Sequence, residues 1–266
     1  MLSELLPLAT QAGFVLVGII GAIFANATGA GGGVVFIPLF HELGFSSQQS
    51  VASSFGIQCF GMTTGAIAWS HHYQSERRPY SQWTAFLPAL GVSIPFSILG
   101  LWGVNLLRIS PPAETVTTFA VFSALLGLAI ITVSGKQDAV AQEGLRRSDL
   151  LALGPIAFAG GIVTAWLSVG VGEFVAFYLI LRRYDVKLAV SVAVVLSAAT
   201  VWSAAPHQLV MGDSADWSVI MLAGPGAVVG AIIARKLALA MNTAKLKRFF
   251  GLWLLLIGLA ELLGRN

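Results

Sequence analysis

Eight long apolar stretches constrain this chain more than any other feature of its sequence. A helix of about 20 apolar residues is long enough to cross the ~30 Å hydrocarbon core of a bilayer. The stretches cover about residues 8–28, 51–70, 83–107, 116–134, 150–168, 187–205, 217–234 and 249–263. Charged residues make up only 10% of the chain, against ~25% in soluble domains. The pattern excludes an ordinary soluble protein and predicts an all-α polytopic membrane protein.

Two shorter apolar pieces, at residues 34–43 and 173–181, each follow a glycine-rich break. At 1.5 Å per residue, a piece of ~10 residues covers ~15 Å, which is about half of the bilayer. Backbone that leaves a helix at membrane depth is tolerated only where protein or a water-filled cavity surrounds it. We therefore expect both pieces to be re-entrant half-helices that turn the chain back to the side from which it came.

The distribution of basic residues supports this topology. With two re-entrant pieces, 13 of the 15 Lys and Arg residues, including Arg77, Arg78, Arg182 and Arg183, fall on one side of the membrane. The positive-inside rule assigns that side to the cytoplasm, and both termini then lie outside. Arg182 and Arg183 could also collect anions, although topology alone explains them. The net charge of +3 therefore indicates the lipid bilayer, and not nucleic acid, as the partner.

The two halves of the chain carry a faint internal repeat. A shift of 139 residues superposes Gly21, Ile23, Gly31, Gly33, Val51 and Ala66 on Gly160, Ile162, Gly170, Gly172, Val190 and Ala205. We predict two inverted repeats, residues 1–134 and 150–266, each with four long transmembrane helices and one half-helix, joined by a polar cytoplasmic linker at 135–149. Inverted repeats with broken helices at matched positions are typical of secondary transporters whose site lies between the repeats.

The first break contains four glycines with two polar residues beside them. The glycines are Gly29, Gly31, Gly32 and Gly33, and the polar residues are Asn26 and Thr28. Glycine lets the backbone leave the helix and approach a solute, and the helix that follows begins with unpaired N–H groups that favour an anion. Close helix packing is the alternative explanation for the glycines. For Asn26 and Thr28 the alternative is that they satisfy freed backbone groups.

The second break places similar chemistry at the matched position. It contains Ser168, Gly170 and Gly172, and two half-helix starts that converge from opposite sides would hold one small oxyanion. Gln58 and Ser197 occupy matched positions one helix further on. Their side chains could donate hydrogen bonds to the anion, or bond a neighbouring helix instead.

Glu173, at the start of the second half-helix, is the only charged residue beside either glycine break. An intramembrane acid is a functional candidate by default, and its protonation would vacate the anion site, as a proton-coupled carrier requires. The alternative is a carboxylate that caps the helix N-terminus. The lone Cys59 excludes an internal disulfide and any cysteine metal cluster, and no cofactor or metal is expected.

These motifs resemble those of the sulfite exporter TauE/SafE family, also called TSUP. The resemblance rests on Gly21, the glycine run at 29–33, Pro38 with Leu39 and the segment 50–54, with a degenerate second copy at 160–193. It implies a multi-pass protein of the bacterial inner membrane that moves sulfite, thiosulfate, sulfonates or related anions. The second copy departs from the pattern, because Val171 replaces a glycine and Phe177 stands where a proline is expected.

The resemblance and the repeat together favour a secondary transporter, and not an enzyme, that exports small sulfur anions by alternating access. Three alternatives stay open: a proton-coupled importer, a passive channel for the same anions, and an intramembrane hydrolase in which Ser168 would need His207 as its partner. The expected partners are the small anion and the bilayer, and a homodimer is also left open.

Overall fold

The computed structural model describes residues 2–76, 81–111, 115–133 and 144–263. Within these ranges the chain forms ten α-helices and no strand, which confirms the all-α class for this part of the chain. The helices are α1 (Leu2–Thr28), α2 (Gly33–Glu42), α3 (Ser47–Glu76), α4 (Phe86–Leu107), α5 (Thr115–Val133), α6 (Arg147–Leu167), α7 (Val171–Leu181), α8 (Val186–Ala205), α9 (Trp217–Ala240) and α10 (Thr243–Leu263). A 3₁₀ turn (Gln82–Ala85) precedes α4, and a π-helical turn (Pro206–Met211) extends α8.

The predicted stretches all fall on helices. The eight long stretches lie in helices of 19 to 30 residues, and the two short pieces form the half-length helices α2 and α7, of 10 and 11 residues. Four segments are long and apolar enough to cross a membrane, namely Gln82–Leu107, Arg147–Leu167, Val186–Met211 and Trp217–Ala240. These helices support a multi-pass membrane protein, whereas the full set of eight crossings stays a prediction.

Several residues of the predicted topology lie outside the described residues. They are Arg77, Arg78, Arg265 and positions 134–143, which make up most of the predicted linker. At the other end of that linker, α6 begins at Arg147, three residues before the predicted span. Asp149 therefore belongs to the first turn of a helix and not to the linker.

The helices pair in a pattern that repeats between the two halves. α1 packs along α9, and α6 packs along α4. When the half-helices are counted, the first helix of each half therefore contacts the fourth helix of the other half. α3 packs on α8, α5 packs on α10, and the half-helices α2 and α7 pack on α3 and α8. Exchanging α1–α5 for α6–α10 converts each of these pairs into another pair of the set. The packing agrees with two related halves, while their inverted orientation in the membrane stays a prediction.

Glycines bring the long helices close together. Gly226 and Gly230 of α9 lie against α1, and Gly100 of α4 and Gly161 of α6 lie against one another's helix. At each position an added Cβ would overlap a backbone oxygen of the neighbouring helix. Close approach through small residues is how helices associate in membranes. α8 lies deepest among the candidate spans, with 78% of its apolar window buried.

The first helix of each half ends inside this bundle. α1 ends before Gly29, which has a φ of +79°, and α6 ends before Ser168, whose φ of +55° is also left-handed. Gly170 follows with a φ of +133°, a conformation that side-chain-bearing residues avoid. Residues 25–34 and 168–173 are all buried. Both breaks therefore lie within the protein, each followed by its half-helix.

Candidate functional site

The two glycine breaks lie against each other. A Cβ added at Gly33 would come within 2.6 Å of the carbonyl oxygen of Ser168, and one added at Gly172 would overlap the carbonyl oxygen of Gly29. The 139-residue shift matches Gly33 with Gly172, and Gly29 with Ser168. The two contacts are therefore equivalents of each other. In both, the end of one half's first helix meets the start of the other half's half-helix.

A second pair of contacts follows the same exchange. A Cβ added at Gly29 would lie 2.5 Å from Cβ of Ala193, and Oγ of Ser168 lies 3.2 Å from Oγ of Ser54. Ser54 and Ala193 are also 139 residues apart. The helices α3 and α8 thus flank the breaks in equivalent ways. We call the place where the breaks meet, formed by residues 29–33 and 168–172, the junction.

Gln58 connects the two sides of the junction. Its Oε1 accepts a hydrogen bond from the backbone N–H of Gly32 at 2.9 Å. Its Nε2 donates to the carbonyl oxygen of Ser168 at 3.1 Å and to Oγ of Ser168 at 2.8 Å. A further contact joins Nε2 to Oγ of Ser54 at 3.1 Å. One buried amide therefore bonds both breaks, which the sequence predicted only as a choice between ligand and structural roles.

Each half-helix begins with unpaired backbone donors. In the described part of the chain, no group accepts a hydrogen bond from the N–H of Gly33 or Val34 at the start of α2. The same holds for the N–H of Gly172 and Glu173 at the start of α7. Unpaired N–H groups at a helix start carry the positive end of the helix dipole. This arrangement is suited to binding an anion.

Two threonines each accept a hydrogen bond from one backbone N–H group of the breaks. Oγ1 of Thr28 accepts from the N–H of Ala30 at 3.2 Å and donates to the carbonyl oxygen of Phe24 at 2.7 Å. Oγ1 of Thr164 accepts from the N–H of Val171 at 3.0 Å. Thr28 thus has the structural role that the sequence left open. Thr164 was missed, although it is likewise a hydroxyl residue just before a break.

Residues 14–260 match the model of a protein family described as sulfite exporter TauE/SafE. The chain belongs to the sulfite exporter TauE/SafE family. The match spans nearly the whole chain and confirms the resemblance seen in its motifs. TauE/SafE membership indicates a membrane transporter of sulfur anions. No curated protein and no solved structure matches the chain.

A small cavity of about 10 Å³, roughly the size that holds one water molecule, lies beside the first break of this TauE/SafE protein. Asn26, Gly32 and Gln58 are among the residues that line it, and the surface they expose to it is apolar. Nδ2 of Asn26 donates to the carbonyl oxygen of Ala22 at 3.0 Å, whereas its buried Oδ1 has no hydrogen-bond partner in the part of the chain that the structure describes. Asn26 therefore borders a space next to the junction and is not part of the contact between the breaks.

The start of α7 holds a second group of unpartnered polar atoms. Glu173 is 1% exposed, and neither of its carboxylate oxygens has a hydrogen-bond partner among the described residues. Oγ of Ser197 is also buried and has no partner within the described ranges, and it would lie 2.5 Å from a Cβ at Gly172. Ser197 therefore touches the second break as Gln58 touches the first. The capping role suggested for Glu173 lacks a hydrogen bond that would support it.

The predicted site residues divide into two groups. Those at the junction are Gly29, Gly31, Gly32, Gly33, Gln58, Ser168, Gly172 and Ser197. Gly170 faces the other way, since a Cβ there would lie 2.9 Å from Cγ1 of Val163 on α6. Asn26 borders the cavity and Thr28 caps the break. Their roles in binding an anion stay predictions.

The hydrolase alternative depended on a pairing of Ser168 with His207. Oγ of Ser168 is bonded instead to Gln58 and Ser54. The ring of His207 makes an edge contact with Trp102, at a centroid distance of 6.3 Å. The geometry therefore gives this serine a place in the hydrogen-bond network of the junction.

Sequence reasoning also missed a cluster at the far end of α7. Asp149 is buried and accepts hydrogen bonds from Tyr178, Arg182 and Tyr184. Arg182 was interpreted as a topological charge or an anion collector, but its guanidinium pairs with Asp149 at 2.7 Å. In the sequence, Asp149 is a single acid beside arginines at the end of a polar stretch. Such residues are expected in a polar linker, so this pattern did not indicate a buried cluster.

Proposed function

We propose that this protein is a secondary carrier that exports small sulfur-containing anions, such as sulfite, thiosulfate or organosulfonates, across the inner membrane. In this proposal the anion binds at the junction, to backbone N–H groups at the starts of α2 and α7. Alternating access then exposes the junction to one side of the membrane at a time. The observation that carries the proposal is the reciprocal contact of the breaks, Gly33 with Ser168 and Gly172 with Gly29.

The chemistry of the junction favours a negative solute. A helix N-terminus carries about half a positive charge, and the N–H groups of Gly33, Val34 and Gly172 have no acceptor in the described ranges. Such donors bind an oxyanion without burying a cation in the membrane, which is energetically unfavourable. Gln58 adds a side-chain NH₂ that already donates to Ser168 and could turn to an anion instead.

The proposal treats residues 1–134 and 150–266 as inverted repeats, joined by a cytoplasmic linker, with both termini outside. Rocking of one half against the other would open the junction to each side in turn. The topology is tested with a cysteine appended after Asn266, in a chain whose own Cys59 is replaced by serine. An impermeant maleimide should label it in intact cells, and labelling only after permeabilisation would contradict the topology.

The membrane potential favours export. With the cytoplasm negative, each negative charge that leaves gains ~2.3 kcal/mol per 100 mV. An exporter of anions therefore needs no coupling ion, whereas an importer does. Export is the simpler mechanism for a site built from backbone N–H groups, because these groups do not gain or lose a proton at physiological pH.

One observation favours a second candidate, proton-coupled import of the same anions. Glu173 is buried at the start of α7, and its carboxylate oxygens lack partners among the described residues. A carboxyl group in this position could take up a proton together with the anion and release it on the other side. Buried acids serve as proton relays in many transporters.

Counterflow in proteoliposomes tests the function. Vesicles loaded with unlabelled anion should take up labelled sulfite, thiosulfate or a small sulfonate, and uptake should saturate with external concentration. A passive channel would instead give a voltage-driven current that rises linearly and shows no counterflow. Protein-free vesicles provide the background rate. Absence of exchange for all three anions would overturn the assignment.

A further inference from the structure

The far end of α7 is fixed by hydrogen bonds to one buried carboxylate. Asp149, in the first turn of α6, is fully buried. It accepts from the hydroxyl of Tyr178 at 2.8 Å, from the hydroxyl of Tyr184 at 2.5 Å and from Nε of Arg182 at 2.7 Å. The hydroxyl of Tyr184 also accepts from the N–H of Arg146 at 3.2 Å. We call Asp149, Tyr178, Arg182 and Tyr184 the Asp149 cluster.

The cluster sets how far α7 extends along α6. At the near end, Val171 lies against Gly160, where an added Cβ would be 2.7 Å from Cα of Val171. At the far end, Arg182 lies against Asp149. Both segments, 149–160 and 171–182, span the same number of residues, so α7 runs antiparallel beside α6. The half-helix is thus attached to α6 at both of its ends.

These contacts are directional. Hydrogen bonds to an ionised group are shorter and stronger than neutral ones, and each fixes the position of its donor relative to the carboxylate. Buried ionic groups contribute little net stability but can specify one arrangement. Burial and the hydrogen bond to Asp149 raise the pKa of Tyr184 to about 12, so its hydroxyl stays a donor at physiological pH.

The neighbouring Arg183 provides a contrast. Arg182 is 38% exposed and engaged with the carboxylate, whereas Arg183 is exposed and no side chain in the described ranges pairs with it. The two arginines occupy adjacent positions with the same charge. Any effect specific to Arg182 must therefore come from the cluster and not from the positive charge of this face.

We propose that Asp149 is a positioning residue for transport, which holds α7 so that its start meets the first break at the junction. An 11-residue helix is a short rigid rod of about 16 Å, so a shift at Tyr178 and Arg182 displaces Gly172 by a similar distance. The anion would then find its backbone donors misplaced. This inference rests on the proposed function, because the effect on transport presupposes an anion at the junction.

The first experiment measures the apparent KM and maximal rate of sulfite counterflow. Asp149→Asn and Arg182→Gln should each raise KM by about tenfold, the factor expected for losing one charge-assisted hydrogen bond. The maximal rate per folded molecule should stay within about twofold of wild type, because the donors themselves remain. Arg182→Lys should restore most of the affinity, and Arg183→Gln should leave KM unchanged. A lower maximal rate with unchanged KM would mean a purely structural role and would overturn the proposal.

A second measurement does not depend on transport. Val169 is 4% exposed within the second break, so a Val169→Cys chain with Cys59→Ser should react slowly with N-ethylmaleimide. Adding Asp149→Asn should speed labelling by about tenfold or more, as expected when a buried site opens more often, and Arg183→Gln should not. Tyr178→Phe gives a milder change if Asp149→Asn fails to fold.

The two measurements separate two kinds of failure. If wild-type protein exchanges no anion but labelling responds to Asp149→Asn and not to Arg183→Gln, the proposed function fails while the cluster still positions α7. If wild type exchanges sulfite and neither KM nor labelling responds in Asp149→Asn or Tyr178→Phe, the positioning role is wrong.

Discussion

The half-helix α2 ends in an apolar cluster, whereas α7 ends in an ionic one. Phe36, Phe40 and Phe45 stack in sequence, with centroid distances of 6.1 and 5.2 Å, and further apolar residues pack around them. α7 instead ends on Asp149. Apolar packing is non-directional, and the one side-chain hydrogen bond that the described residues make at this end of α2 joins the exposed His41 and Ser47 at 3.3 Å. We therefore expect the far end of α2 to shift more readily than that of α7, which Asp149 holds to α6.

The starts of the two half-helices are more alike than their ends. Gly33 and Gly172 make equivalent contacts across the junction. One position away, Val34 in α2 matches Glu173 in α7, so the acid is present on one side only. The difference indicates that any proton coupling belongs to the second half. Unpaired backbone N–H groups, by contrast, occur at the helix starts of both halves in the described ranges.

The largest expected effect comes from closing the space between the breaks. Gly172→Ala places a methyl group on the carbonyl oxygen of Gly29, and Gly33→Ala places one 2.6 Å from that of Ser168. Overpacking of this kind costs ~1–3 kcal/mol or more. We therefore expect the rate of sulfite exchange to fall about a hundredfold in Gly172→Ala and about tenfold in Gly33→Ala. Gly91→Ala is the control, because nothing lies within 4 Å of a Cβ there. A wild-type rate of sulfite exchange by Gly172→Ala would contradict the close contact of the two breaks at the junction.

Gln58→Leu should come next, because it removes the link between the two breaks at similar side-chain volume. The N–H of Gly32 and the carbonyl of Ser168 would lose their partner, at ~1–3 kcal/mol per buried group. We expect the apparent KM for sulfite to rise by at least about tenfold. Gln48→Leu, at an exposed position of the same helix, is the matched control. Equal KM values in the two variants would mean that Gln58 does not contribute to anion binding.

Glu173→Gln tests the difference between the two starts. If one proton accompanies each anion, a pH difference of one unit should change the accumulated sulfite about tenfold. The glutamine cannot exchange a proton, so this pH-driven accumulation should vanish while counterflow at equal pH persists. Transport is measured in vesicles with and without an imposed pH difference. A response to pH that survives in Glu173→Gln would assign Glu173 a structural role and show that proton coupling does not depend on it.

The smallest effects should separate the ends of the half-helices. Tyr178→Phe removes one hydrogen bond to Asp149, worth ~1 kcal/mol, and should raise the KM for sulfite about fivefold. Phe40→Leu keeps an apolar side chain in the cluster around α2 and should change KM by less than about twofold. Thermal unfolding in detergent checks that both variants are folded. The reverse order of KM effects would make α2 the fixed half-helix.

The sequence predicted the main elements of this site for physical reasons. Glycine lowers helix stability, and the short apolar pieces that follow the two glycine-rich breaks predicted α2 and α7 from their length. The 139-residue shift identified Gly33 with Gly172 and Gln58 with Ser197, and all four lie at the junction. Their contacts depend on local backbone chemistry that a repeat conserves.

Other features depend on contacts that no local pattern indicates. Asp149 follows a polar linker and looks like its last charged residue, but α6 begins earlier and buries it. Its partners lie about thirty residues away, in α7 and the turn after it. Gly170 was assigned to the site with its neighbours, yet its backbone turns it toward Val163. The register between two helices, and the direction in which one residue of a break points, can be read only from the packed structure.

The reciprocal contact of the breaks has a consequence for the empty carrier. The carbonyl oxygens of Gly29 and Ser168 lie close to Gly172 and Gly33 at the start of the opposite half-helix. In the proposed carrier these oxygens take up part of the space that an anion needs, so binding would require the two breaks to separate. A carrier without cargo would keep its breaks in contact, and cells could hold many copies without draining the voltage across their membrane.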